Sequence, residues 1–299
     1  MKRFIYFLIL VICVLTIVLI GLQVGNQGKS QKSPQQVTEN QMRLVSVSPN
    51  ITEILFALGL EEEVVGVTDY CNYPVAATAK KSIGTIMEPD LETILSLKPT
   101  NIFLTNTAFH IELGKKLSSL GLNTFFFDVD MFKGISSTIS QIGETTNRAE
   151  QSNRLNSDIA KGLNSIKAIA AGFSKTPTVL VVLQSEPLIV VGKNTYIDEL
   201  ITIAGGTNAI SDLQHTYPML NAEALITLDP DIIVETQLNV EPARSEKALS
   251  GYKWDIEAVR NKNVFVVDAD IISRPGPRVV EAGRQMQRII QLYFGDNNE

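Results

Sequence analysis

Two stretches of this chain repeat one pattern, and the repeat limits the folds open to it. Leu91-Glu92-Thr93-Ile94-Leu95-Ser96-Leu97-Lys98-Pro99 leads into Asn101-Ile102-Phe103-Leu104, and Ala222-Glu223-Ala224-Leu225-Ile226-Thr227-Leu228-Asp229-Pro230 leads into Asp231-Ile232-Ile233-Val234. In each, a glutamate sits in the first turn of a helix, a proline closes that helix, and an apolar strand follows. A second echo pairs Glu53-Ile54-Leu55-Phe56-Ala57-Leu58-Gly59 with Glu199-Leu200-Ile201-Thr202-Ile203-Ala204-Gly205. Such self-similarity implies two lobes built alike, each presenting one glutamate at the same place.

Around these repeats, short apolar strands and helical segments alternate. Strands are expected at Leu44 to Val47, Val64 to Val67, Asn101 to Thr105, Asn123 to Asp128, Thr178 to Leu183, Ile232 to Glu235 and Val264 to Val267. Helices are expected at Thr52 to Leu58, up to Leu97 after an Asp90 cap, and at Ile111 to Leu120, Tyr196 to Ala204, Ala222 to Leu228 and Lys253 to Val259. A last helix is expected from about Arg278 to Phe294. Alternation of this kind implies mostly parallel sheets. Asn50 and Glu53 have the spacing of a capping box. Thr145 to Phe173 breaks the rhythm: Leu155, Ile159, Leu163, Ile166 and Ile169 keep a helical period, which predicts one long helix. The fold class is α/β, with two Rossmann-like lobes of mostly parallel sheets joined by that helix. Its boundaries are an N-terminal lobe over 42–144, a linking helix over 145–174 and a C-terminal lobe over 175–299. A helical strut permits only small tilts, so the cleft between lobes should be largely formed before ligand arrives.

The first 41 residues read differently. Lys2 and Arg3 precede an apolar run from Phe4 to Leu22, long enough to cross a bilayer. The segment 1–25 is read as an uncleaved anchor, with a cleaved signal as the competing reading. The Gln-, Asn- and Ser-rich segment 26–41 is read as a tether. Both readings place the remainder outside the cytoplasm. The chain carries 26 Lys and Arg against 32 Asp and Glu, a net −6. Without Lys2 and Arg3 the balance falls by two more, to −8. Such a surface argues against nucleic acid as a partner. Cys71 is the only cysteine beyond Cys13, so the exported part can form no internal disulfide.

Arg43 to Gly59 (RLVSVSPNITEILFALG) resembles the opening of the helical-backbone periplasmic binding proteins, which serve ABC importers of cobalamin, haem and ferric siderophores. Val67-Thr68-Asp69-Tyr70-Cys71-Asn72-Tyr73-Pro74 and Arg274-Pro275-Gly276-Pro277-Arg278 are similar to the cobalamin-binding branch in particular. The resemblance implies a monomeric binder without catalysis or cofactor, capturing cobalamin or a related corrinoid and delivering it to a permease. A haem or ferric-siderophore binder is the alternative. It also implies that Glu92 and Glu223 dock onto arginine pockets of the permease subunits. Their placement near helix N-termini would by itself suit the helix dipole.

Ligands of open α/β sheets lie at the carboxyl ends of strands, which nominates the loops after those strands. Tyr70 matches an aromatic that stacks on the corrin face in the cobalamin branch, and Tyr217-Pro218 matches a tryptophan-proline there. Ile86-Met87 and Asn106 stand where that branch has further tryptophans. Ser48, Asn50 and Arg274 are expected to orient the ligand through polar groups. Arg278 either joins them or opens the last helix on its solvent face. His110 and His215, the only histidines, fall in candidate cleft loops and are axial-ligand candidates for cobalt or iron, with a hydrogen-bonded loop histidine as the plainer reading. Cys71 reads as a small half-buried residue, since nothing basic nearby would favour its thiolate. No dinucleotide fingerprint, phosphate loop or nucleophile elbow is present to support an enzyme.

Overall fold

In the computed structural model, which describes residues 42–210, 215–251 and 254–296, the repeat read in the sequence is a repeat of topology. The first sheet has β1 (Leu44–Ser46) at its centre, between β2 (Val64–Val67) and β4 (Asn101–Thr105), with β3 (Lys81–Ser82) and β5 (Thr124–Phe127) at the edges. All its pairings are parallel. In the second, β6 (Thr178–Ser185) pairs parallel with β8 (Thr207–Asn208) and β9 (Ile232–Gln237), and β9 pairs parallel with β11 (Val264–Asp268). β7 (Leu188–Val190) and β10 (Ala243–Arg244) are antiparallel additions. The parallel set β8-β6-β9-β11 thus reproduces β2-β1-β4-β5.

The equivalence extends to single backbone angles. Helix α1 (Pro49–Ala57) runs to Gly59 at φ 73°, and Gly205 at φ 98° occupies the matching place after α6 (Tyr196–Ile203). Both lie in the left-handed region that glycine enters without a Cβ penalty. Helix α2 (Leu91–Ser96) is capped by Asp90, whose carboxylate accepts the N–H of Glu92 at 3.0 Å and of Thr93 at 3.3 Å. Helix α7 (Ala222–Leu228) is capped by Asn221, which accepts from Ala224 at 2.8 Å. After each, the residue before proline turns left-handed: Lys98 at φ 47° and Asp229 at φ 38°.

Three sequence expectations need correction. First, Asn50 and Glu53 form no capping box. Pro49 starts α1, Ser48 is the N-cap without a side-chain cap, and both residues lie inside the helix and are buried. Second, the long helix expected from Thr145 begins four residues later, as α5 (Ala149–Ala170, 22 residues), and a separate helix that was not expected, α4 (Phe132–Thr145), precedes it, the two parted by Asn147 at φ 56°. The Ile135, Ile139 and Ile142 spacing of α4 was a readable helical signal, and all three side chains are buried. Third, α3 (Ala108–Ser119) starts earlier than expected, because Thr107 caps it through the His110 N–H. This puts His110 in a helix. The helix expected over 253–259 is shorter and later: Trp254 to Ile256 are not helical, and α9 (Glu257–Arg260) starts after the Ile256 N-cap, with α8 (Glu246–Gly251) before it.

One apolar cluster runs through both lobes. It joins Leu44, Ile51, Ile54 and Phe103 around the first sheet to Val179, Val181, Ile232 and Phe265 around the second, with Ile166 of α5 between them. Each fully buried aliphatic contributes about 1.5–3 kcal/mol. Helix α10 (Ala269–Ile272) and helix α11 (Val279–Asp296) complete the second lobe. A continuous core of this kind makes the strut and both lobes parts of a single packed unit beginning at Met42.

Candidate functional site

The carboxyl ends of β1, β4, β5 and β11 converge on a cavity of about 380 Å³. Ser48, Asn50, Tyr70 and Arg274 are among its lining residues, as are Asp128, Asp130 and Asp270. The Tyr70 ring is 55% exposed while its backbone carbonyl accepts from Arg274 Nη2 at 3.1 Å. The chain at Tyr70 is therefore pinned and its ring presented to the opening. Tyr217 is half exposed and is not in that lining. It stands near the wall: burial first, then the charge of Asp130, push its phenol above the usual range. The Tyr217 segment is held through backbone, with Gly192 N–H donating to Thr216 O at 2.8 Å and Val190 N–H to Pro218 O at 3.1 Å.

The polar groups at the cavity floor are turned toward one another. Ser48 Oγ donates to Asn50 Oδ1, and Asn50 Nδ2 donates to Pro275 O at 3.2 Å. Arg274 Nη1 donates to Asn72 Oδ1 at 2.7 Å and approaches Glu53 Oε1 at 3.4 Å, and its Nη2 pairs with Asp270 at 2.7 Å. Asn72 Nδ2 in turn donates to Asp270 Oδ2 at 2.7 Å. Arg278 does not lie on a solvent face. It grips Glu53 through Nε at 3.0 Å and Nη2 at 2.7 Å, and its guanidinium covers the Tyr73 ring at 4.2 Å. Burial alone would lower the Arg278 pKa, but the Glu53 carboxylate overrides it and the net direction is upward. Glu53 itself is 2% exposed. This ionic seam joins residues more than two hundred positions apart; the sequence offered Glu53 only a capping role, and offered Asn72 and Asp270 none.

What remains facing the cavity is anionic. Burial and the neighbouring Asp128 charge raise the Asp130 pKa. Among the described lining residues Arg274 is the only cation, and its guanidinium is already engaged.

The two histidines part company. His110 is 1% exposed. Its Nδ1 faces the Thr105 N–H at 3.2 Å, so it must accept, and its Nε2 faces Ile86 O at 3.3 Å, so it must donate. With both nitrogens partnered the ring is not placed to ligate a metal in the cleft, and the reading of it as a loop residue is corrected. His215 is exposed. Burial lowers the His110 pKa from the ordinary 6.5. The unfolded chain then binds the proton more readily than the native one, so the His110 contribution to stability is present above pH 6.5 and is lost as pH falls below it. Imidazole NMR should place the His110 midpoint below 6.5; a midpoint above it would contradict this geometry. Cys71 is more buried than expected, at 3%, and sits between the Thr52 and Thr68 hydroxyls at 3.1 and 3.2 Å. Burial pushes its thiol pKa up, which leaves it unreactive.

Glu92 and Glu223 are both exposed in the first turns of α2 and α7, and among the described residues neither forms an ion pair.

Two Rossmann-like lobes, a helix between them and a cavity at converging strand ends define a ligand-capturing protein of the helical-backbone class. Residues 44–271 match the family described as periplasmic binding protein, and the chain belongs to that family. Its members are transport proteins that bind small molecules and pass them to ABC permeases. The uncharacterized ABC transporter substrate-binding lipoprotein YvrC of Bacillus subtilis is 29% identical over 266 residues, covering 86% of this chain and 83% of YvrC. The high-affinity heme uptake system protein IsdE of Staphylococcus aureus is 28% identical over 290 residues, covering 94% of this chain and 97% of IsdE. The vitamin B12 binding protein BtuF of Vibrio cholerae superposes with a TM-score of 0.73 at 24% identity, covering 84% of this chain and 97% of BtuF, and so shares the fold.

The tethered location is corrected. Among the described residues no helix is long and apolar enough to cross a membrane, and the segments 1–25 and 26–41 lie outside those residues. Membership of an extracytoplasmic binding-protein family is what stands.

Proposed function

We propose that this chain is the non-catalytic capture component of an ABC importer and that its cargo is cobalamin or a related corrinoid. The observation that carries the ligand class is the charge of the cavity. Three carboxylates, Asp128, Asp130 and Asp270, line it, and its single described cation is held by Glu53, Asn72 and Asp270. Haem brings carboxylates of its own, and ferric catecholates are strongly anionic. Binders of such groups need converging, unengaged cations. A corrinoid periphery is rich in amides, whose N–H groups can donate to carboxylates. Tyr70 and Tyr217 supply rigid aromatic area for a flat macrocycle, with Ser48, Asn50 and Arg274 shaping the floor beneath it. Tyr217, with its pKa raised, is a poor source of the tyrosinate that ferric iron would prefer. Glu92 and Glu223 are the permease contacts in this reading.

Haem is retained as a second cargo because of the likeness to IsdE; exposed His215 and Tyr70 would then be the candidate iron ligands. Titrating the purified protein separately with cyanocobalamin and with hemin, followed by absorbance, separates the two. Cyanocobalamin should bind, and Tyr70→Ala should weaken it about tenfold, the scale of one lost aromatic contact. Tight hemin binding with a Soret shift, and none of cyanocobalamin, would replace the corrinoid reading by the haem one.

A further inference from the structure

The second sequence echo places Glu53 in α1 and Glu199 in α6 at matching positions, each six residues before a left-handed glycine. Each sends its carboxylate to the opposite half of the molecule. Glu53, following the first strand of the first sheet, accepts from Arg278 at 2.7 and 3.0 Å and from Arg274 at 3.4 Å, both of which follow the second sheet. Glu199 Oε2 accepts the N–H of Phe132 at 2.6 Å, the first residue of α4, which follows the first sheet. Met131, the N-cap of α4, provides no side-chain cap of its own. The Glu199 carboxylate therefore serves as a cap delivered from across the molecule, where a negative charge also complements the helix dipole.

Each contact fixes one wall of the cavity. Arg274, held by Glu53, binds the Tyr70 carbonyl. Phe132, held by Glu199, directly follows the segment carrying Asp128 and Asp130. We propose that Glu53 and Glu199 are reciprocal clasps, positioning residues that set the separation of the lobes without touching ligand. The two differ in strength. Glu53 is buried and doubly paired, whereas Glu199 is half-buried and makes a single bond. The seam at Glu53 is then the fixed pivot, and lobe motion is taken up on the Glu199 side.

Pulsed electron–electron resonance between spin labels on cysteines introduced at exposed Ser119 and Thr227 reads this directly. Cys13 is replaced by serine, and native Cys71 is buried. Glu199→Ala should broaden and displace the inter-lobe distance distribution. Glu199→Gln, whose amide oxygen can still accept from Phe132, should restore it. A chain that had merely lost stability would show a lowered melting temperature with an unchanged distribution. An unchanged distribution in Glu199→Ala, or a broadened one that glutamine fails to restore, overturns the assignment. The measurement needs no ligand, so the corrinoid reading can fail while this one stands.

Discussion

Glu53→Ala is expected to be the most destabilising single substitution at the lobe interface, lowering the unfolding free energy by about 3–5 kcal/mol. The estimate does not rest on adding up hydrogen bonds. It rests on what is left behind: Arg274 and Arg278, 9% exposed and half-buried respectively, would lose the carboxylate that lies between them. Arg274 would keep Asp270, but Arg278 would keep just the Asp270 carbonyl, the Tyr73 ring and the charge of Glu281, with no hydrogen-bonded carboxylate among the described residues. Replacing Glu53, Arg274, Arg278 and Asp270 together with apolar residues should cost far less than Glu53→Ala, because no member of the ionic cluster is then left without its partner. Urea unfolding of the two variants at pH 7 checks both statements. A loss below about 1 kcal/mol for Glu53→Ala would mean that the arginines reach solvent, as surface pairs do.

This seam also marks where the sequence stopped being readable. The strands, the Asp90 and Asn221 caps, the prolines after α2 and α7 and the matched glutamates are local signals, and local physics decides them. Glu53 has an equally local reading, three residues after Asn50, and that reading is wrong. Pro49 is compatible with the first turn of a helix, so α1 begins at Pro49 and carries Glu53 into the interior. Its partners stand 221 and 225 positions away, and no periodicity connects them. The same holds for His110, whose loop assignment gave way to a Thr107 cap. The break between α4 and α5 rests on one residue, Asn147, in a left-handed conformation that asparagine enters more readily than most. Tyr70, which lines the cavity, was legible as an aromatic in a loop after a strand. Asp128 and Asp130 carry the cavity's charge, yet in sequence they look like ordinary turn residues after β5.

Reversing the charge of the repeated glutamates should separate capture from delivery. Glu92→Lys combined with Glu223→Lys is expected to abolish ligand uptake by cells while leaving the affinity of the purified protein for its ligand unchanged. The folding cost should be small: a lysine in the first turn of an exposed helix opposes the dipole by about 0.3–1 kcal/mol at each site, and Asp90 and Asn221 keep their caps. At a permease surface the same change turns two attractive contacts into repulsive ones, which costs several kcal/mol and slows encounter as well. Each single reversal should give an intermediate loss, since the two lobes present equivalent helices and one contact would remain. Uptake assays with matched expression, beside ligand titration of the same variants, make the comparison. If the double variant transports normally, the exposed pair serves only its own helices. If ligand affinity falls instead, the glutamates belong to the capture site and not to docking.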